Sequence, residues 1–314
     1  MTAIVVVGSL NMDFVVRVSH LPAPGETVLG RDFQMIPGGK GANQAAAAAR
    51  LATDSLQVRM VGRVGYDTFG DHLKASLSAA GVDVGAVHAM RSYATGVALI
   101  SVDASGQNSI VVAPGANHAL IASEAESMRS VFRGARLALF QLESPVDTVA
   151  AALRIAREEG ARTMLDPAPA VPLPGEMLAN VDILTPNESE ASLLLGLPPQ
   201  RVAISNAPAL ARALKELGPA AVVLKLGDQG CFYSDGQVEI HAPALSVIAQ
   251  DTTAAGDVFN AALAVALAED RPLGEALRFA NAAAAISVTR IGAQASIPTR
   301  SEVDQRLGGA PIRS

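Results

Sequence analysis

The stretch Ala249–Asp270, AQDTTAAGDVFNAALAVALAED, places two acidic residues around a run of small ones and leads into an alanine-rich helix. The first amides of a helix have no intrahelical acceptor, and the helix dipole adds partial positive charge there. Ala254, Ala255 and Gly256 are expected to open this helix, with side chains small enough for an anion to touch the backbone. Such an entrance suits a phosphate group. Asp257 falls in the first turn, where it could take a proton from a hydroxyl attacking that phosphate. The competing reading is plainer: Asp257 complements the dipole and the small residues pack tightly.

Other corners of the chain carry similar residues. PGGKGANQAA (Pro37–Ala46) has a phosphate-loop character but is no Walker A, because Gly41 follows Lys40; Gln44 stands where a dinucleotide fingerprint needs glycine. Gly38, Gly39 and Gly41 permit close backbone approach to a ligand, and Asn43 offers an amide for hydroxyls. In GSLNMDFVV, Asn11 and Asp13 alternate around Met12 and can face one side, an amide and a carboxylate suited to vicinal hydroxyls. In TPNESEA, Asn187 and Glu190 lie one helical turn apart. Glu190 could hold Mg²⁺ through water. The same spacing also fits a capping box with Asn187 as N-cap.

These corners need elements to position them. AIVVVG (Ala3–Gly8) reads as a buried strand, and GANQAAAAARLA (Gly41–Ala52) as a helix. VALISVDASGQNSIVVAPG has the pattern of a β-hairpin. Beyond it, ARLALFQL, RTMLDPAPA, VDILTPN and AAVVLKLG fit buried parallel strands separated by helical stretches such as PVDTVAAALRIAREEG. That alternation implies βαβ crossovers and a mostly parallel central sheet. Most polar and glycine-rich stretches then fall at the C-terminal strand ends, where open α/β sheets bind ligands. TRSEVDQRL carries a capping box, Thr299 with Glu302.

Composition narrows the function further. The net charge is -6, so no basic stripe serves nucleic acid. A single cysteine, Cys231, excludes an internal disulfide framework, and the five histidines show no metal-ligand spacing. No apolar run is long enough to span a membrane. MTAIVVVGSLNMD lacks a basic leader region and reads as a first strand, so a cytoplasmic protein is expected.

The stretches GSLNMD, GGKGANQA, GRVGYDTFG, APGAN, TPNESE, DTTAAGD and GAQASIP run in this order along nearly the whole chain. Taken together they resemble the signatures of the ribokinase-like (PfkB) family of carbohydrate kinases. The resemblance implies one ribokinase-like domain over residues 1–314. Its fold would be a three-layer α/β/α body with a mostly parallel central sheet and a small β-sheet lid, the lid formed by insertions at about 14–38 and 93–113. It implies ATP-dependent phosphorylation of D-ribose at O5, giving D-ribose 5-phosphate and ADP. Deoxyribose, another sugar or a nucleoside are alternative acceptors on the same chemistry; an inactive sugar-binding regulator is the alternative from another class.

By that resemblance Asn11, Asp13, Gly39, Lys40, Asn43 and Glu143 surround the sugar. Asp257 is the base, and the amides of Ala254, Ala255, Gly256 and Asp257 form the anion hole. ATP would touch Asn187, the loop Lys225, Leu226, Gly227, Asp228, Gln229 and Gly230, and Asn281 near its base. Glu190 belongs to an element associated with Mg²⁺ and phosphate. K⁺ would lie near Asp251, Thr253, Ser287, Arg290, Gly292 and Ser296, several through backbone carbonyls. A homodimer through the lid sheet is implied, since the apolar hairpin needs a cover. Three positions depart from the pattern: Lys225 where many relatives have Thr, Asp166 where Asn is usual, and Ala261 where Gly is common.

Overall fold

The computed structural model describes residues 2–308. The run AIVVV lies in strand β1 (Thr2–Val7), inside a nine-stranded sheet. Ile4 and Val6 face one helical layer while Val5 and Val7 face the other. Burial on both faces is why a parallel strand reads as an unbroken apolar run.

A second, four-stranded sheet is woven from two excursions of the chain. It comprises β2 (Asn11–Arg17), β3 (Arg31–Gly38), β6 (Gly96–Val102) and β7 (Asn108–Ala113), in the order β3-β2-β6-β7. β6 and β7 are an antiparallel hairpin, with Val102 opposite Asn108. The remaining strands complete the large sheet: β4 (Leu56–Gly65), β5 (Val82–Met90), β8 (Ala135–Phe140), β9 (Arg162–Leu165), β10 (Ile183–Leu184), β11 (Ala221–Lys225), β12 (Cys231–Ser234) and β13 (Glu239–Ala242). Their order is β13-β12-β11-β10-β9-β8-β1-β4-β5. Every pairing from β5 across to β11 is parallel, and β12 and β13 finish one edge antiparallel.

Helices cover both faces of the large sheet. One layer holds α1 (Lys40–Leu51), α2 (Thr68–Ala79), α8 (Ala255–Ala268), α9 (Leu273–Ser287) and α10 (Arg300–Leu307). The other holds α3 (Arg129–Phe132), α4 (Val146–Glu158), α5 (Gly175–Leu178), α6 (Glu188–Leu194) and α7 (Ala207–Lys215). The result is the three-layer, mostly parallel α/β architecture expected, with a smaller sheet attached. Among the described residues no helix is long and apolar enough to cross a membrane.

Two local features bear on the site. Asn11 and Asp13 do not sit in a loop after β1; they lie on β2 itself, two residues apart and so on one face. Five of the six alanines of α1 are buried (Ala42, Ala45, Ala46, Ala47 and Ala48), and α1 packs against α8, bringing the starts of two helices together.

The capping box read at the C-terminal end is present: Glu302 Oε2 accepts from the Thr299 amide at 2.7 Å, while Thr299 accepts from the Glu302 amide. Thr299→Ala is expected to lower the unfolding free energy by about 1 kcal/mol in urea melts.

Candidate active site

The GGKG loop lies directly against β2. Gly39 has φ 89°, and a Cβ there would stand 2.7 Å from the Asn11 nitrogen. At Gly38 a Cβ would meet Asp13 Oδ2 at 2.1 Å. Only a chain without side chains at both positions can lie over Asn11 and Asp13 in this way.

Asp257, in the first turn of α8, is 5 % exposed. Both its oxygens are held. Asn43 Nδ2 donates to Oδ2 and Gln44 Nε2 donates to Oδ1, each at 3.1 Å. Gln44 Nε2 donates also to Asp166 Oδ2 at 3.1 Å, and Gln44 Oε1 accepts from Gln141 Nε2 at 2.6 Å. The Gln44 amide is thereby fixed in one orientation, with both donors on carboxylates. Burial pushes the Asp257 pKa up to about 6 against the opposing charge of Lys40, while the Asp166 charge adds to the rise. A carboxylate tuned in this range is suited to proton abstraction near neutrality. Asn43 therefore orients Asp257 with one of its two amide hydrogens, and the other has no partner among the described residues.

The helix beside it starts one residue later than the sequence suggests. Ala254 is the N-cap of α8, left-handed at φ 59°, and makes no side-chain capping bond. The Ala255 amide donates to Thr252 O at 3.2 Å, so it is not free. Among the described residues the amides of Ala254, Gly256 and Asp257 find no acceptor. An anion site at this helix start would rest on those groups, because the Ala255 amide is drawn back into the turn.

Across from Asp257, the small sheet presents Asp13 and Asn11. Burial raises the Asp13 pKa to about 7, with the charges of Glu143 and Asp257 adding to it. Asn11 Oδ1 accepts from Asn117 Nδ2 at 2.8 Å, and Asn117 Oδ1 accepts from the Leu10 amide at 2.9 Å. Glu143 Oε2 accepts from Ser9 Oγ at 2.5 Å and from the Lys40 amide at 3.1 Å, tying the end of β1 to the start of α1. Burial alone would lower the Lys40 pKa, but Asp257, Asp166, Glu143 and Glu190 hold it raised, so Lys40 stays an ammonium.

Residues assigned to a nucleotide lie at neighbouring strand ends. Asn187 is the N-cap of α6 in a complete capping box: its side chain accepts from the Glu190 amide, and Glu190 Oε2 accepts from the Asn187 amide at 2.7 Å. Asn187 Nδ2 also reaches Glu190 Oε1 at 2.8 Å. The structural role weighed in the sequence is therefore realised. Burial raises the Glu190 pKa against the attraction of Lys225. After Lys225, the turn Gly227–Gln229 is 3-10 helical, and Gln229 is pinned to the backbone of Val202 and Ile204. Asp228 is exposed and paired with Arg201. Leu226 is buried, and its amide donates to Gly230 O. Asn281, in α9, donates Nδ2 to the carbonyls of Ala242 and Pro243 at 2.8 and 3.2 Å, bracing the chain after β13.

The proposed cation ligands form two connected turns. Asp251 accepts from the amides of Thr253 at 2.9 Å and Gly292 at 2.8 Å, joining the loop before α8 to the turn after α9. Ser287 Oγ donates to Ala284 O and Ser296 Oγ to Ala293 O. Arg290 is paired with Glu302. Among the described residues no group of His, Cys, Asp or Glu converges as a metal cage.

Sequence reading gave no role to Gln44, Asn117 or Ser9, which hold the named residues in place, and saw in Asp166 only added negative charge near the cleft. For Asn117 a signal existed: it closes APGAN. Gln44 occupies the position where glycine was sought and not found, and its two carboxylate partners lie more than a hundred residues away in the chain.

The pattern for "pfkB family carbohydrate kinase" matches residues 1–300. The chain is 44 % identical over 307 residues to a ribokinase of Bacillus subtilis, covering 98 % of this chain and 100 % of the relative. It is 40 % identical over 297 residues to a ribokinase of Haemophilus influenzae, covering 95 % of each. A ribokinase of Arabidopsis thaliana, solved complexed with ribose and ATP, superposes with a TM-score of 0.89 at 35 % identity, covering 97 % of this chain and 98 % of the other. The chain belongs to the PfkB family of carbohydrate kinases.

Proposed function

We propose that the chain is an ATP-dependent ribokinase, converting D-ribose and ATP to D-ribose 5-phosphate and ADP. The observation that carries this reading is the buried Asp257, held by Asn43 and Gln44 beside the amides of Gly256 and Asp257, which find no acceptor among the described residues. Asn11 and Asp13 bind the sugar hydroxyls, with Lys40 and Glu143 along the other side. Asp257 takes the proton of the O5 hydroxyl. O5 bonds to the γ-phosphorus, and the bond from that phosphorus to the bridging β,γ oxygen breaks, leaving ADP. The amides at the start of α8 receive the charge of the transferring group. The small sheet acts as the lid, carrying Asn11 and Asp13 against a base fixed on the large body.

The charge balance favours a divalent cation. Lys40 and Lys225 face the carboxylates of Asp13, Glu143, Asp166, Glu190 and Asp257, so a triphosphate enters an acidic site. Mg²⁺ on the phosphates, held by Glu190 through water, would neutralise that repulsion. Both Asp251 oxygens are taken by amides, so K⁺ would be held mainly by carbonyls and hydroxyls of the same turns, hard donors that suit it. ATP as donor is in keeping with a cytoplasmic reaction. Exposed Phe33, Met35, Leu99 and Val111 share one face of the small sheet and support a homodimer through that sheet.

A coupled ADP-release assay over D-ribose, 2-deoxyribose, other pentoses and nucleosides tests the function. Ribose is expected to give the highest kcat/KM, with a several-fold higher rate in K⁺ than in tetramethylammonium. A nucleoside turned over much faster than ribose overturns the substrate, and equal rates in the two salts overturn the K⁺ site.

A further inference from the structure

Two of the residues that depart from the family pattern meet in the fold. Asp166 begins the loop after β9, Lys225 ends β11, and β10 lies between them. Lys225 Nζ stands 2.8 Å from Asp166 Oδ1, with the side chains only 13 % and 3 % exposed. The other Asp166 oxygen accepts from Gln44, whose amide also binds Asp257. One continuous path therefore runs from the lysine through a buried acid and an amide to the base.

The ammonium reaches in a second direction. A Cβ placed on Gly256 would lie 3.4 Å from Lys225 Nζ, so the charge stands over the backbone at the entrance of α8. The amides of Gly256 and Asp257 there have no acceptor among the described residues. An ammonium has three donors, and the Asp166 bond is the one side-chain bond that Nζ makes among the described residues. Burial works against its charge, but Asp166 and Glu190 hold the Lys225 pKa raised, so the cation persists before any ligand arrives.

Resting on the kinase reading above, we propose that Lys225 is a phosphate ligand of the transfer step, parked on Asp166 and shared with a phosphoryl oxygen once that oxygen sits on the Gly256 and Asp257 amides. Asp166 is the positioning residue: it keeps the ammonium aimed at the helix entrance and, through Gln44, keeps the base aligned. A neutral side chain at 225 could donate one hydrogen bond but carry no charge to the developing anion. Two unusual residues thus become a single device, a cation with its holder.

The test separates a phosphate ligand from a merely structural ion pair. Lys225→Met leaves Asp166 buried without its partner and risks the fold, so the deciding variant is Asp166→Asn/Lys225→Thr, which exchanges the ion pair for a neutral one. Binding of a non-hydrolysable ATP analogue with Mg²⁺ is measured by calorimetry, alongside kcat and KM for ATP and ribose, and melting temperature. The expected result is a melting temperature near that of the parent, analogue affinity and kcat/KM for ATP lowered about ten- to a hundredfold, and ribose KM within about twofold. Asp166→Asn alone retains the lysine and an oxygen to hold it, and is expected to lower analogue affinity less than the double variant does. A double variant that folds and binds the analogue as tightly as the parent overturns the proposal, even if ribose is phosphorylated normally. If the parent phosphorylates no sugar yet the double variant still binds the analogue more weakly, the kinase reading fails and the role of Lys225 as a phosphate ligand stands.

Discussion

Replacing Asp257 with Asn is expected to lower kcat for ribose phosphorylation by about 10²–10⁴-fold while ribose affinity stays close to that of the parent. The amide cannot accept the O5 proton; it keeps the size of the carboxylate and one of its two accepted bonds, and Asn43 can turn its own amide to meet the new donor. The parent enzyme should lose rate as the pH falls below about 6, roughly tenfold per pH unit, because the base is then protonated. Asp257→Asn should lack this acid limb. Stability gives an independent control. The folded carboxyl holds its proton above the ordinary carboxylate range, so it binds more protons than the unfolded chain does in that interval. Stability from this group is therefore greatest at low pH and declines as the pH rises towards about 6. At pH 8 the variant no longer buries that charge, and its melting temperature is expected to be no lower than the parent's. Activity surviving in a folded Asp257→Asn protein would remove the base from this account.

Asp13→Ala is expected to cut kcat/KM for ribose by about 10²–10⁴-fold, with ATP-analogue affinity close to parental. The magnitude follows from losing two hydrogen bonds to a charged acceptor, each worth about 1.5–3 kcal/mol. Asp13 is also raised to about 7, by burial and by the charges of Glu143 and Asp257. It accepts two hydroxyls best when ionised, so KM for ribose should fall as the pH rises through about 7. Initial rates against ribose at fixed saturating ATP measure both effects. An alanine variant with parental ribose KM would take Asp13 out of the sugar site. The two substitutions separate binding from chemistry: position 13 acts chiefly through the sugar, position 257 through turnover.

Much of the fold was legible because its signals are local. The apolar run of β1, the alternation in Val97–Ala113 and the alanine-rich α1 each name their own element. The box at Thr299 and Glu302 needs only four residues. What was not legible depends on distant contacts. The antiparallel edge strands β12 and β13, which no sequence pattern named, are defined by their pairing with β11 and with each other. The site divides in the same way. Asp257 and the small residues before it point to anion chemistry by themselves, whereas Gln44 acquires its role only when β9 and α8 bring Asp166 and Asp257 to one amide. The Asp166 charge, suspicious in isolation, is answered by Lys225 at a separation of 59 residues. Even Asn187 is two things at once, a position implied for nucleotide by resemblance and a completed N-cap by geometry.

The left-handed Ala254 has a consequence for anyone seeking a hardier protein. Asn tolerates that backbone region better than Ala and is among the best residues for closing a helix start, a gain of about 1 kcal/mol. A thermostability screen would favour it. Its side-chain oxygen would then occupy the donors that a migrating phosphoryl group needs, so the selected protein would resist heat and turn over poorly. On the proposed mechanism the substrate is the missing cap at this helix, and robustness gained by supplying one permanently is taken from catalysis.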